Sequence, residues 1–134
     1  MIEHESSFRV RYAETDRMGY LYYGNYAAYF EVGRVELLRS LGLSYRELED
    51  RGVILPVRDF EVRYRRPALY DEALRLLTRL DEVGPLRLVF SYELRRADDS
   101  TLLTTARCTL ISVDRESGRP KALPDDVSKI LGAT

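Results

Sequence analysis

Three alternating runs, Ala73 to Val83, Leu86 to Arg95 and Thr101 to Val113, follow one another with only short turns between them. In the first, Leu74, Leu76 and Leu80 alternate with Arg75, Arg79 and Asp81, the period-two pattern of a strand with one buried face. Gly84 with Pro85, and then Asp98, Asp99 and Ser100, have the chemistry of tight turns, so the three runs predict an antiparallel meander. Runs of about 11 to 13 residues, against a usual strand length of ~5 to 6, favour a sheet that curves. A curved sheet needs something to wrap.

The single long helical pattern supplies it. Tyr26, Phe30, Gly33, Leu37 and Leu41 step by four, three, four and four and so share one helical face. Glycine in a helix interior costs about 1 kcal/mol against alanine, which predicts that another backbone or a bulky side chain comes close at Gly33. Gly42 stands where a helix stops, with Arg39 in the last turn to complement the dipole. Upstream, Phe8 to Tyr12 alternates as a first strand, and Ala13 to Tyr20 is a loop with Asp16 and Gly19 as turn formers. Downstream, Ser44 and Glu47 form a capping box for a short helix over Tyr45 to Arg51, and Val53 to Arg65 is a strand with Pro56 at its entry or edge. The tail is irregular, with a helical turn around Asp125 to Leu131. One strand, one long helix and four more strands predict an α+β fold: a curved five-stranded antiparallel sheet wrapped around a long central helix, as a single domain over residues 1–134.

A formal net charge of -1, with 45% hydrophobic and 32% charged residues, indicates a soluble globular chain and gives no basic footprint for nucleic acid. Cys108 is the only cysteine, which excludes an internal disulfide and cysteine-based metal motifs; its alternating neighbours place it in the core. No stretch approaches the ~20 apolar residues of a membrane span, and a cytoplasmic location is expected.

The Asp16 loop feeds the start of the long helix, where unpaired N–H groups and the positive end of the dipole favour an anion or a developing oxyanion. Taken by itself, an aspartate before a glycine is more often a turn former than a catalyst. Asn25 is more often a cap than a ligand, Glu31 and Arg34 are spaced for an i,i+3 ion pair, and Glu14 is a weaker candidate for a second carboxylate beside Asp16.

The segment Tyr12-Ala-Glu-Thr-Asp16-Arg-Met-Gly19-Tyr-Leu-Tyr-Tyr23-Gly-Asn25-Tyr26, followed by Tyr29, Phe30, Glu31 and Arg34, resembles the signature of hotdog-fold thioesterases of the 4-hydroxybenzoyl-CoA thioesterase type. The likeness continues through Val62 to Asp71 and the closing Gly118-Arg-Pro120. It implies a hotdog fold, homodimers that join edge strands into one sheet or homotetramers built from them, and a site at the dimer interface. It also implies an acyl-CoA thioesterase that hydrolyses an acyl or aroyl thioester to free acid and CoA. Asp16 is then the general base or nucleophile, and the Tyr23 backbone N–H polarises the thioester carbonyl. Gly19 and Asn25 would bind substrate within the motif, and arginines suit the phosphates of CoA, with Arg58 and Arg87 as the first candidates and Arg63, Arg65 and Arg66 as further ones. No metal and no bound cofactor are expected, since coenzyme A is part of the substrate. Some relatives carry a histidine where this chain has Tyr23; the one histidine here, His4, lies in a terminus expected to fray. Two alternatives share the fold: a thioesterase for acyl carrier protein, and a non-catalytic acyl-thioester-binding module.

Overall fold

The computed structural model describes residues 2–132; Met1, Ala133 and Thr134, which the single-domain expectation includes, lie outside the described residues. Its sheet has the order β1-β4-β5-β6-β3, built from β1 (Ile2–Arg9), β3 (Val57–Tyr64), β4 (Ala73–Val83), β5 (Arg87–Arg96) and β6 (Leu102–Ile111). All neighbouring pairs are antiparallel, and β4, β5 and β6 form the expected meander. A two-residue pair, β2 (Val53–Ile54) with β7 (Val113–Asp114), sits beside it. The helices are α1 (Tyr26–Ser40), α2 (Tyr45–Asp50) and α3 (Asp125–Ile130).

The sheet curves around α1, the hotdog arrangement that the resemblance implies. Phe30 on α1 is fully buried, with its ring 4.7 Å from Tyr92 on β5 and 5.8 Å from Phe60 on β3. Gly33 faces β4, where a Cβ would overlap Thr78 Oγ1 and lie 2.7 Å from Leu76 Cδ2. The helix therefore seats on the sheet at its glycine, as the apolar stripe predicts. Leu43 N–H donates to the Leu38 carbonyl across Gly42, whose φ of 82° is the left-handed stop expected there. Cys108 is a buried core thiol, and burial pushes its pKa up.

Several expectations are corrected. The first strand is Ile2–Arg9, not Phe8 to Tyr12, because its pairing with β4 is carried by backbone bonds under alternating but largely polar side chains. His4 consequently lies within a paired strand, opposite Thr78. The strand predicted over Val53 to Arg65 divides into β2 and β3 at Pro56, which has no N–H for a ladder. Glu31 is exposed and forms no ion pair with Arg34. Arg34 turns inward instead, only 8% exposed, and its Nε donates to the Tyr45 hydroxyl at 3.1 Å.

Candidate active site

The loop between β1 and α1 is a small hairpin of its own. Thr15 bridges Leu21, Asp16 N–H donates to the Tyr20 carbonyl at 2.9 Å, and Gly19, with φ at 77°, lets the chain reverse. The loop is tied to the segment after β3 by Leu21 N–H to the Ala68 carbonyl at 2.7 Å and by Tyr70 N–H to the Gly19 carbonyl at 3.1 Å. These bonds bring two distant parts of the chain to either side of one cleft of about 290 Å³.

Asp16 and Met18 line the cleft from the loop, Tyr23 and Tyr26 from the helix start, and Tyr64, Arg65 and Arg66 from the end of β3. The rings of Tyr26 and Tyr64 meet edge to face at 4.9 Å, and burial raises the pKa of both phenols, so these two keep their protons and form a neutral aromatic wall between the charged groups.

Asp16 is half-buried, and its two oxygens do different things. Oδ1 accepts from Met18 N–H at 2.9 Å and Tyr20 N–H at 3.2 Å, an Asx-type turn. Oδ2 accepts no hydrogen bond among the described residues. The turn-forming and the chemical readings of Asp16 are therefore compatible in one side chain. Tyr23 begins a 3-10 turn, Tyr23–Asn25, that leads into α1, and its N–H donates to no other described residue. Asp16, with one oxygen unbonded, and Tyr23, whose N–H has no partner among the described residues, thus line one cleft.

Other predicted residues sit elsewhere. Gly19 shapes the turn and does not line the cleft. Asn25 precedes α1 but makes no capping bond; its Nδ2 donates to the Glu14 carbonyl at 2.9 Å, so its side chain is spent on the loop. Arg58 is held by Asp59 at 2.9 Å, and Arg87 is held by Glu82 at 2.9 Å beside a different cavity. Neither lines the Asp16 cleft. Arg65 and Arg66 do, and neither has a carboxylate within ion-pair distance among the described residues. Tyr64 escapes a sequence search for site residues, although its parity with Phe60 and Val62 on β3 places it on the inner face.

Glu14 does not stand beside Asp16 as a second acid. Its Oε1 accepts from Arg11 N–H at 2.9 Å and the Tyr29 hydroxyl at 2.8 Å, and its Oε2 faces the Arg11 guanidinium at 3.2 Å. Burial alone would raise its pKa; the Arg11 N–H, the Arg11 guanidinium and the Tyr29 hydroxyl outweigh that and hold it below the ordinary carboxylate value. A depressed carboxylate contributes stability that is complete above the unfolded value of about 4.3 and is lost as pH falls towards the folded value. The melting temperature is expected to fall through that acid window. Asp99, Asp114 and Asp126, also held low by their partners, contribute to the same fall. Glu14→Gln should melt lower at neutral pH and converge on wild type in acid. A gap that stays constant from pH 7 to pH 3 in thermal melts would refute the linkage.

Comparison with known proteins identifies the family. The family described as the thioesterase-like superfamily matches residues 10–131. The Bacillus subtilis protein YneP, named as a candidate acyl-CoA thioesterase, is 36% identical over 125 residues, covering 90% of each chain. The Escherichia coli acyl-CoA thioester hydrolase YbgC is 34% identical over 119 residues, covering 89% of this chain and 88% of that one. Among solved structures, a DHNA-CoA thioesterase from Staphylococcus aureus superposes with a TM-score of 0.87 at 37% identity, over 92% of this chain and 82% of that one.

Proposed function

Because the chain belongs to the thioesterase-like superfamily, we propose that it is an acyl-CoA thioesterase whose chemistry is carried by Asp16 and the Tyr23 N–H. The observation that carries this reading is the division of labour at Asp16, with Oδ1 holding the loop and Oδ2 without a hydrogen bond among the described residues, in a cleft that Tyr23 also lines. As the oxygen of a water bonds to the thioester carbonyl carbon, its proton passes to Asp16 Oδ2, and the Tyr23 N–H donates to the oxyanion that forms. The carbon–sulfur bond then breaks, and the proton passes from Asp16 to the departing CoA thiolate. In the alternative course Oδ2 itself attacks the carbonyl carbon, the carbon–sulfur bond breaks to release the CoA thiolate, and water opens the resulting anhydride to the free acid and the Asp16 carboxylate, its proton neutralising the thiolate. A positioned base contributes ~10² to 10⁴ in rate, and one aimed N–H donor about 2.7 to 4 kcal/mol.

Arg65 and Arg66 are the CoA-phosphate partners in this proposal, since a planar guanidinium suits a phosphate and these two have no competing carboxylate. YneP and YbgC carry names that refer to acyl-CoA, which supports CoA over acyl carrier protein as the donor. The exposed β3 edge, which presents Val57, Phe60 and Tyr64, supports a homodimer joined along that strand.

The test is thiol release from short, medium, long and aromatic acyl-CoAs, with one acyl group also presented on acyl carrier protein. Turnover of at least one acyl-CoA is expected. Arg65→Ala with Arg66→Ala should raise KM about tenfold, the lower end for hydrogen bonds to charged groups. Faster turnover of the carrier-protein thioester would move the donor assignment, and no turnover of either donor would overturn the proposal.

A further inference from the structure

The Asp16 hairpin is closed at its base by one residue, and that residue is not in the cleft. The Glu14 carbonyl accepts from Tyr22 N–H at 2.9 Å and from Asn25 Nδ2 at 2.9 Å, clamping the arm that carries Asp16 to the arm that leads into Tyr23. The Glu14 carboxylate reaches in two further directions, to Arg11 at the exit from β1 and to the Tyr29 hydroxyl on α1. Tyr29 is itself fixed, buried and stacked on Phe8 of β1 at 4.5 Å with the rings 5° apart. Glu14 therefore joins four parts of the chain: β1, both arms of the hairpin, and α1. Asp16 is two residues beyond it in sequence, and Tyr23 is the residue after its partner Tyr22.

We infer that Glu14 is a positioning residue of the reaction, its carboxylate fixing the hairpin against α1 and so setting where the Asp16 carboxylate stands relative to the Tyr23 N–H. The inference rests on the roles proposed above for Asp16 and Tyr23. An ionised carboxylate is needed because all three of its partners are donors, two on Arg11 and one on Tyr29. Glutamine has nearly the same shape but offers one acceptor oxygen, and its amide would set N–H against an Arg11 N–H.

A misplacement of about 1 Å at a reacting pair costs on the order of 100-fold in rate. Glu14→Gln is therefore expected to lower kcat about 10- to 100-fold and to leave KM within about threefold. Tyr29→Phe, which keeps the stack on Phe8 and removes only the hydroxyl, should lower kcat about 3- to 10-fold, and the double variant should be no worse than Glu14→Gln by more than about twofold, because both changes act through the same Glu14 anchor. Val127→Ala, a cavity at the one buried residue of α3, is the control for lost stability alone and should keep wild-type kcat. Wild-type kcat in Glu14→Gln, or an equal loss in Val127→Ala at matched melting temperature, would overturn the inference. Should Glu14→Gln fail to fold, full kcat in Tyr29→Phe overturns it alone. An inactive Asp16→Asn beside a fully active Glu14→Gln sinks the positioning role only, whereas an active Asp16→Asn sinks the assignment of Asp16.

Discussion

Asp16→Asn is expected to lower kcat/KM for acyl-CoA hydrolysis by ~10² to 10⁴, the range for loss of a positioned base, while leaving the fold in place. Both halves of that expectation come from the two oxygens of the side chain. Asparagine keeps one acceptor oxygen, which can take over the bonds from Met18 N–H and Tyr20 N–H that Oδ1 accepts. The amide that replaces Oδ2 carries no basic lone pair, so it can neither take a proton from water nor attack a carbonyl. Circular dichroism and thermal melts should therefore match wild type while turnover collapses. Full activity across the acyl-CoA panel in this variant would show that the carboxylate is neither base nor nucleophile.

Gly33→Val is expected to produce a large loss of stability. Two effects oppose each other at this position. Any Cβ recovers helix propensity, about 1 kcal/mol for alanine, but it also meets Thr78 Oγ1 and Leu76 Cδ2 where the helix lies against β4. Overpacking costs typically ~1 to 3 kcal/mol, so alanine should range from near neutral to about 2 kcal/mol destabilised. Valine adds two methyl groups to the same space, and we expect at least ~3 kcal/mol and a fall in melting temperature of roughly 10 °C. A Gly33→Val protein that melted within about 3 °C of wild type would mean that helix and sheet can part at this point without cost.

How far the chain could be read from its residues alone depended on how local each feature is. The meander strand Ala73–Val83 has its predicted bounds, and the ends of the neighbouring strands shift by a residue or two. β1 was misplaced because its inward-facing positions include His4 and Ser6, so apolar periodicity is weak just where backbone pairing with β4 is continuous. Arg34 shows the limit from another side. Its spacing to Glu31 predicts a surface pair, yet α1 rolls it toward Tyr45, a residue of the next helix. The i,i+3 rule describes an isolated helix, and burial against a neighbour overrides it.

The sequence by itself determined the α+β order of elements, the helix stop at Gly42, the need for close approach at Gly33, and the Asp16 to Gly19 turn. Each of these is a property of consecutive residues, through side-chain periodicity or the φ a glycine permits. Only the tertiary structure decided that Arg65 and Arg66 line the cleft with Asp16 while Arg58 and Arg87 do not, and that Glu14 turns to Arg11 and Tyr29. These outcomes hang on a few long-range bonds, Leu21 N–H to Ala68 and Tyr70 N–H to Gly19 among them. A hydrogen bond between residues some fifty positions apart leaves no period in the sequence, so its consequences become visible only when the sheet has closed around the helix.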